Sequence, residues 1–183
     1  MSPLSDIALV TQVIVFHNTR AFDTLVQKYQ SPIRRFFLHQ TLGDTELSDD
    51  LAQETFLKAY THLTSFKNLS NFSTWLYRIA YNVFFDYLRN RKETSTLENW
   101  EVDATYRTAP QAVGEQMDLH RGLAQLKEAE RTCLTLFYME DLSIEKISQI
   151  TGMPSGTIKS HLSRGKNKLT TFLKQNGYDG QQR

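Results

Sequence analysis

The chain has 183 residues, 21 basic against 20 acidic, so a formal net charge of +1 excludes a protein that is basic or acidic throughout. Cys133 is the only cysteine, which excludes an intramolecular disulfide or a thiolate zinc site and gives no reason to invoke an oxidising compartment. The apolar run Ile7 to Phe16 is too short to span a bilayer and lacks the basic segment that precedes a secretory signal, so a core helix capped by Asp6 and a cytoplasmic chain without membrane insertion are expected.

Helical periodicity dominates and no run of alternating strands appears, which predicts an all-α protein. Ala21 to Tyr29 and Ile33 to His39 read as one helix or two, with Pro32 at a start or kink. Asp49 to Phe66 is the next helix. It belongs to an acidic block, Asp44, Glu46, Asp49, Asp50 and Glu54, in which Asp50, Gln53 and Glu54 share one face. A solvated face and a surface for a basic protein partner both fit that spacing.

After a polar loop, Lys67 to Ser73, a long helix is expected from about Thr74 to Lys92. Leu76, Ala80, Val83 and Tyr87 form one stripe on it, and Tyr77, Tyr81, Phe84 and Leu88 another. Trp75 and Phe85 add aromatic surface. One small core does not cover all of this, so part of it is expected to meet a ligand or partner. Arg78, Arg89, Arg91 and Lys92 interleave with the aromatics, as in proteins that hold unstacked bases.

From Glu93 to Gln111 the texture changes to Thr, Ser, Asn, Asp, Ala and Pro with little periodicity, which predicts a connector. Two helices follow, Gln116 to Leu126 and Glu128 to Met139, with Leu123, Leu126, Leu134 and Phe137 available for a core. The expected organisation is a helical domain over 1–95, a linker over 96–112, a second helical domain over 113–175 and a polar tail over 176–183.

The stretch Ser143 to Lys168 carries the strongest local signal. Ile144, Ile147 and Ile150 recur at helical spacing. Thr151, Gly152, Met153 and Pro154 then break the helix. Ser155 is the expected N-cap of a second helix whose buried stripe is Ile158, Leu162, Gly165, Leu169 and Phe172. Thr157, Ser160, Arg164 and Lys168 flank the stripe on one side and Lys159, Ser163 and Lys166 on the other. From Ser155 to Lys174 there are five cations and no acid, the footprint of a phosphate-contacting helix in a helix-turn-helix. A solvated basic surface helix has the same local pattern.

Three motifs in order, DLAQETFLKAY (Asp50 to Tyr60), FSTWLYRIAYN (Phe72 to Asn82) and GMPSGTIKSHLSRGK (Gly152 to Lys166), make the chain resemble a bacterial RNA polymerase sigma factor of the extracytoplasmic-function class of the sigma-70 family. The resemblance covers about Ala21 to Leu173. It implies two domains, sigma regions 2 and 4, and a non-enzymatic protein without cofactor or metal that binds core RNA polymerase, directs it to promoter DNA and helps open the minus-ten element. It further implies polymerase docking by Asp50, Gln53 and Glu54. Minus-ten contacts fall to Asn68, Leu69, Ser70, Phe72, Trp75 and Asn82, and minus-thirty-five contacts to Ser155, Thr157, Lys159, Ser160, His161, Arg164 and Lys166. An anti-sigma factor is a further implied partner. The chain departs from the family at His161, where Arg is usual, at Gly165, where a small Ala is usual, and at Lys127, where Pro is frequent.

Energetics require the polymerase. Opening some ten base steps at about 1.4 kcal/mol each costs on the order of 14 kcal/mol, whereas two or three base-stacking pockets return about 1 to 3 kcal/mol apiece. The competing readings are a helix-turn-helix repressor or activator independent of polymerase, which leaves FSTWLYRIAYN unexplained, an anti-sigma or adaptor protein, and a metalloenzyme using His39, Asp49, Asp50 and Glu54.

Overall fold

A computed structural model describes residues 5–97 and 115–177, with side chains from Ser5 to Lys92 and from Asp118 to Gly177. Most of the expected linker and tail lie outside the described residues. Those residues are helical, with no strand among them.

The first unit holds α1 (Asp6–Phe16), α2 (Thr19–Gln40), α3 (Thr45–Thr61) and α4 (Phe72–Leu97). The cap of α1 is Ser5, whose hydroxyl accepts the Ala8 N–H at 3.3 Å. Asp6 is instead drawn to α2, accepting from Lys28 Nζ and Tyr29 OH, each at 2.6 Å. Burial, and then this bond to Asp6, push the Tyr29 phenol well above its usual range. Pro32 does not divide α2: one helix runs through it, burying Leu25, Ile33, Phe36 and Phe37. The acid that starts α3 is Asp44, which accepts the Leu47 N–H at 3.0 Å, five residues before the expected start. Helix α3 stops at Thr61, and a single 3-10 turn, Leu63–Ser65, leads into the loop before α4. Helix α4 continues to Leu97, past position 95 where the domain was expected to end.

The second unit holds α5 (Glu115–Ala124), α6 (Glu128–Leu134), α7 (Ile144–Thr151) and α8 (Ser155–Gln175). A π-helical segment, Thr135–Met139, widens the end of α6. Leu123, Leu126, Leu134, Leu136, Ile147, Ile150, Ile158 and Leu162 form the core, with Phe137 partly buried against it. Gly152, at φ 74°, closes α7 in the left-handed region. The turn is tied by the Ser148 hydroxyl donating to the Met153 carbonyl at 2.7 Å and by the Met153 N–H donating to Thr151 Oγ1 at 3.2 Å. The cap position of α8 falls to Pro154, and Ser155 is its first helical residue. Gly165 lies where α8 crosses α6: a Cβ there would stand 2.8 Å from Leu134 Cδ1.

The two units pack together through α2 and α4 on one side and α6, the π segment and α7 on the other. This contact covers part of the α4 aromatic surface that was expected to meet a ligand or partner, while Trp75 and Phe85 stay partly exposed. Leu76, Ala80 and Val83 are buried, and so are Tyr77, Phe84 and Leu88 of the second stripe. Tyr77 OH donates to Glu140 Oε2 at 2.6 Å, and Tyr81 lies in the field of Cys133, so this stripe faces the second unit.

The seam is polar and buried. Gln40, fully enclosed, donates through Nε2 to Thr135 Oγ1 at 3.2 Å and accepts from Thr132 Oγ1 at 3.0 Å, while its carbonyl accepts from Arg131 at 2.7 Å. Arg35 donates two hydrogen bonds of 2.9 Å to Glu140. His39 of α2 packs on His120 of α5, ring centres 5.9 Å apart, and Gly43, at φ 94°, makes room for the same His120 ring.

Burial, then the neighbouring His120, push His39 down to about 4, with Arg35 acting in the same direction and Glu140 against it. Burial also lowers His120. A depressed imidazole favours the packed form while it is neutral, so this contribution is complete above the ordinary histidine value of about 6.5 and fades as the pH falls towards 4. The melting temperature of the wild type should therefore fall more steeply over that window than that of His39→Gln. At the α6–α8 crossing, Gly165→Leu should cost about 1 to 3 kcal/mol in urea unfolding by overpacking Leu134. Gly165→Ala should change little there, because the better helix former gains about 1 kcal/mol while Leu134 must shift.

Candidate nucleic-acid interface

The local sequence sets α8 outward. Its apolar stripe is buried at Ile158, Leu162 and Gly165 and half-buried at Leu169 and Phe172. Ser155, Thr157, Lys159, Ser160, Arg164 and Lys166 are exposed, and His161 is half-buried. Some of these groups are already engaged. Arg164 donates to the Ser160 carbonyl at 3.3 Å and contacts His161 Nδ1 at 3.3 Å, and Ser160 Oγ donates back to the Gly156 carbonyl at 3.0 Å. Lys159, Ser160, Ser163 and Arg164 line a shallow depression on this face.

Glu130 of α6, a residue the sequence reading did not single out, orients this helix. Its side chain is 3% exposed and accepts from Lys168 Nζ at 2.7 Å and from the Lys127 N–H at 3.2 Å, with Arg164 Nε at 3.9 Å. Burial opposes its ionisation, but the bonds from Lys168 and Lys127 and the charges of Lys168 and Arg164 outweigh it and leave the carboxyl below its usual range. Lys168, expected on a ligand-facing flank, is thus tied to α6.

The loop before α4 presents a second surface. Asn68 adopts φ 56°, Leu69 is 88% exposed and Ser70 is half-buried. Phe72 departs from the expectation of direct contact: it is 3% exposed, packed with Tyr29, Phe66 and Trp75 at ring separations of 5.5 to 5.7 Å. The first helical turn buries its side chain towards α2, so its ring is not on the surface. Trp75 is partly buried on Phe66 and Phe72, and one α4 face carries Trp75, Arg78 and Asn82, the last two exposed. Of the other cations noted on α4, Arg89 is paired with Asp86 at 2.6 Å.

The third surface is α3. Asp50, Gln53 and Glu54 are exposed together, Glu54 pairing with Lys58 at 2.8 Å. Beside them an apolar groove of about 660 Å³ runs between α2 and α3, lined by Phe22, Val26, Phe56, Leu57 and Tyr60, with the Arg34–Asp49 ion pair on its wall. Leu57 is 67% and Tyr60 47% exposed. Neither was given a role in the sequence reading. An exposed groove with an acidic rim has the form of a helix-docking surface.

The proposed metal set does not assemble. His39 is buried against His120, Asp49 is paired with Arg34, and Asp50 and Glu54 are exposed on α3. Among the described residues no helix is long and apolar enough to cross a membrane.

Comparison with known proteins supplies the family. Sigma-70 region 2 matches residues 25–94, and Sigma-70 region 4 matches residues 116–169. SigM of Bacillus subtilis (strain 168), an ECF RNA polymerase sigma factor, is 32% identical over 151 residues, 80% of this chain and 91% of the relative. The RNA polymerase sigma-H factor of Pseudomonas aeruginosa is 34% identical over 169 residues, 84% of this chain and 86% of the relative. Among solved structures, the sigma factor RpoE of Bartonella quintana, in complex with the anti-sigma factor NepR, superposes with a TM-score of 0.72 at 28% identity, covering 84% of this chain and 96% of that one. CnrH in complex with the cytosolic domain of CnrY shares the fold at the same TM-score, 23% identity and 94% and 99% coverage. Two sigma regions matched in order, on a fold whose exposed surfaces lie in those same regions, mean that the chain belongs to the sigma-70 family, in its extracytoplasmic-function (ECF) class.

Proposed function

We propose that this chain is an initiation subunit: it joins core RNA polymerase, brings it to specific promoters and helps open the minus-ten element. It is not an enzyme, and its family does not favour the reading as a free-standing repressor or activator. The observation that carries the reading is the presence, on one chain, of an acid-rimmed apolar groove, an exposed loop beside aromatics and a cationic reading helix, in the order of sigma regions 2 and 4.

Residues to the end of α4 at Leu97 act as the first module, 98–112 as linker, 113–175 as the second module and 176–183 as tail. Asp50, Gln53 and Glu54 meet basic groups of the polymerase, while Leu57 and Tyr60 give the groove its apolar contact. Burying Leu57 there contributes about 1.5 to 3 kcal/mol before ordering costs. Asn68, Leu69 and Ser70 take the flipped minus-ten bases, with Trp75 and Asn82 beside them. Phe72 supports Trp75 from below. Lys159 and Lys166 hold phosphates at the minus-thirty-five duplex, Ser155, Thr157 and Ser160 lie against base edges or sugars, and His161 and Arg164 act as a pair. A subunit acting on chromosomal promoters in this way would act in the cytoplasm. An anti-sigma factor, as borne by RpoE of Bartonella quintana, is a partner of this chain by the same reading.

Two outcomes test it. Reversing charge in Asp50→Lys with Glu54→Lys should abolish binding to core polymerase in a pull-down, while binding of a minus-thirty-five duplex by the same variant is unchanged; survival of both sinks the docking assignment. Lys159→Ala and Lys166→Ala should each weaken duplex binding at all sequences and reduce the slope of log affinity against log salt by about one, measured by fluorescence anisotropy.

A further inference from the structure

Arg164 is folded back along α8 rather than extended from it. Its Nε donates to the Ser160 carbonyl at 3.3 Å, with Glu130 Oε1 behind at 3.9 Å, and its Nη2 meets His161 Nδ1 at 3.3 Å. A guanidinium carries donors only, so Nδ1 is the acceptor in this contact and the imidazole proton sits on Nε2. Nε and Nη2 form one edge of the planar fork, and Ser160 and His161 fill that edge. The end edge, Nη1 with the second hydrogen of Nη2, takes no hydrogen bond among the described residues, and the side chain is 60% exposed.

His161 makes this arrangement possible. It stands three residues before Arg164 and so beside it on the helix surface. The arginine usual at this position in the family has no acceptor and repels a second guanidinium, so it cannot take the Nη2 hydrogen.

Two parallel N–H groups in a rigid fork match two neighbouring acceptors. In the major groove guanine presents O6 and N7 side by side, adenine sets one acceptor beside a donor, and cytosine and thymine offer no acceptor pair. Phosphate oxygens fit the same fork, but they line the rim of the groove. Arg164 leans towards Ser160, into the N-terminal half of α8, and it is the N-terminal part of a reading helix that contacts base edges. Lys159, Ser160, Ser163 and Arg164 line one depression there, so the free edge of the fork lies where a base edge would come to rest.

We propose that His161 is a positioning residue for promoter specificity: it holds Arg164 so that the free edge of its guanidinium reads one guanine of the minus-thirty-five duplex. This rests on the initiation-subunit reading, which supplies the duplex, whereas the held fork is a property of α8 itself. Holding the side chain sharpens its choice. A loose arginine swings between base and phosphate and gains from either, while a fixed one gains only where both acceptors are in place.

The test uses the full chain, with and without core polymerase, and a library of duplexes randomised over the minus-thirty-five element, followed by affinities from fluorescence anisotropy. Wild type should favour guanine over adenine at one position by about tenfold. Replacing that guanine by 7-deazaguanine, which lacks the N7 acceptor, should weaken wild-type binding by a similar factor. His161→Ala should bind the guanine duplex about tenfold more weakly but lose far less on the adenine duplex, and 7-deazaguanine should then cost it under about threefold. His161→Asn, whose Oδ1 stands close to the place of Nδ1, should keep the preference. His161→Arg should bind all duplexes more tightly, add about one to the slope of log affinity against log salt, and lose the preference.

A His161→Ala variant that keeps its guanine preference overturns the proposal, and so does one that weakens equally on every sequence, as a phosphate contact or a packing role predicts. Should circular dichroism show that His161→Ala has lost its helices, the other two variants decide: His161→Arg must lose the preference and His161→Asn must keep it. If the guanine dependence behaves as expected but the chain directs no initiation with core polymerase, the initiation reading fails and the positioning role stands. If the chain directs initiation but 7-deazaguanine leaves wild-type binding unchanged, the positioning role fails and the initiation reading stands.

Discussion

Helix α4 is apolar on two stripes and packs against α2 and α3 of its own unit and α7 of the other, and this double engagement organises the molecule. Leu76, Ala80, Val83, Tyr77, Phe84 and Leu88 are all buried, Tyr77 packing on Phe36 of α2 while its hydroxyl reaches Glu140 of the second unit. The second unit meets α4 chiefly through α7. Because Tyr77 brings a hydroxyl and α2 contributes Arg35 and Gln40, the second unit must offer acceptors and donors in fixed positions, and Glu140, Thr132, Thr135 and Arg131 do so. Apolar burial on α4 and α7 brings the units together, and the buried polar partners fix how they meet. Removing one partner of such a buried charged contact costs far more than the contact contributes net, which gives the arrangement its specificity.

The same logic divides the cations of α8 into two kinds. Lys168 and, more loosely, Arg164 are directed towards the buried carboxylate of Glu130, setting the rotation and height of the helix on α6. Gly165 lets the two helices approach where a larger residue would collide with Leu134. What is left outward, Lys159 and Lys166 with the hydroxyls of Thr157 and Ser160, is the surface available to a phosphate backbone. A helix rich in positive charge is therefore not uniformly a ligand surface.

Much of the architecture was legible one-dimensionally. The helix-turn-helix could be read because Ile147, Ile150, Ile158 and Leu162 keep helical spacing on either side of Gly152 and Pro154, and backbone sterics leave few alternatives there. The exposure of Asp50, Gln53 and Glu54 followed from their shared face opposite Leu51. Boundaries were less legible, since capping is a competition among neighbours: Ser5 rather than Asp6 caps α1, and Asp44 starts α3. Phe72 was given a minus-ten contact through the resemblance of its motif, yet folding packs it against Phe66 of the preceding loop and against Tyr29, which lies far back along the chain on α2. Leu57 and Tyr60 were given no role in the sequence, and only the structure shows them exposed beside the groove between α2 and α3.

Local chemistry along the chain, its periodicity, its breakers and the segregation of acid from base, was enough to determine an all-helical protein of two units with a reading helix near the end. Tertiary structure alone decided that the units close on each other, that Glu130 steers α8, and that Glu140 and Gln40 bind one unit to the other. The reason is physical: periodicity reports which face of a helix avoids water, whereas a buried hydrogen bond joins groups such as Gln40 and Thr132 whose proximity no spacing along the chain encodes.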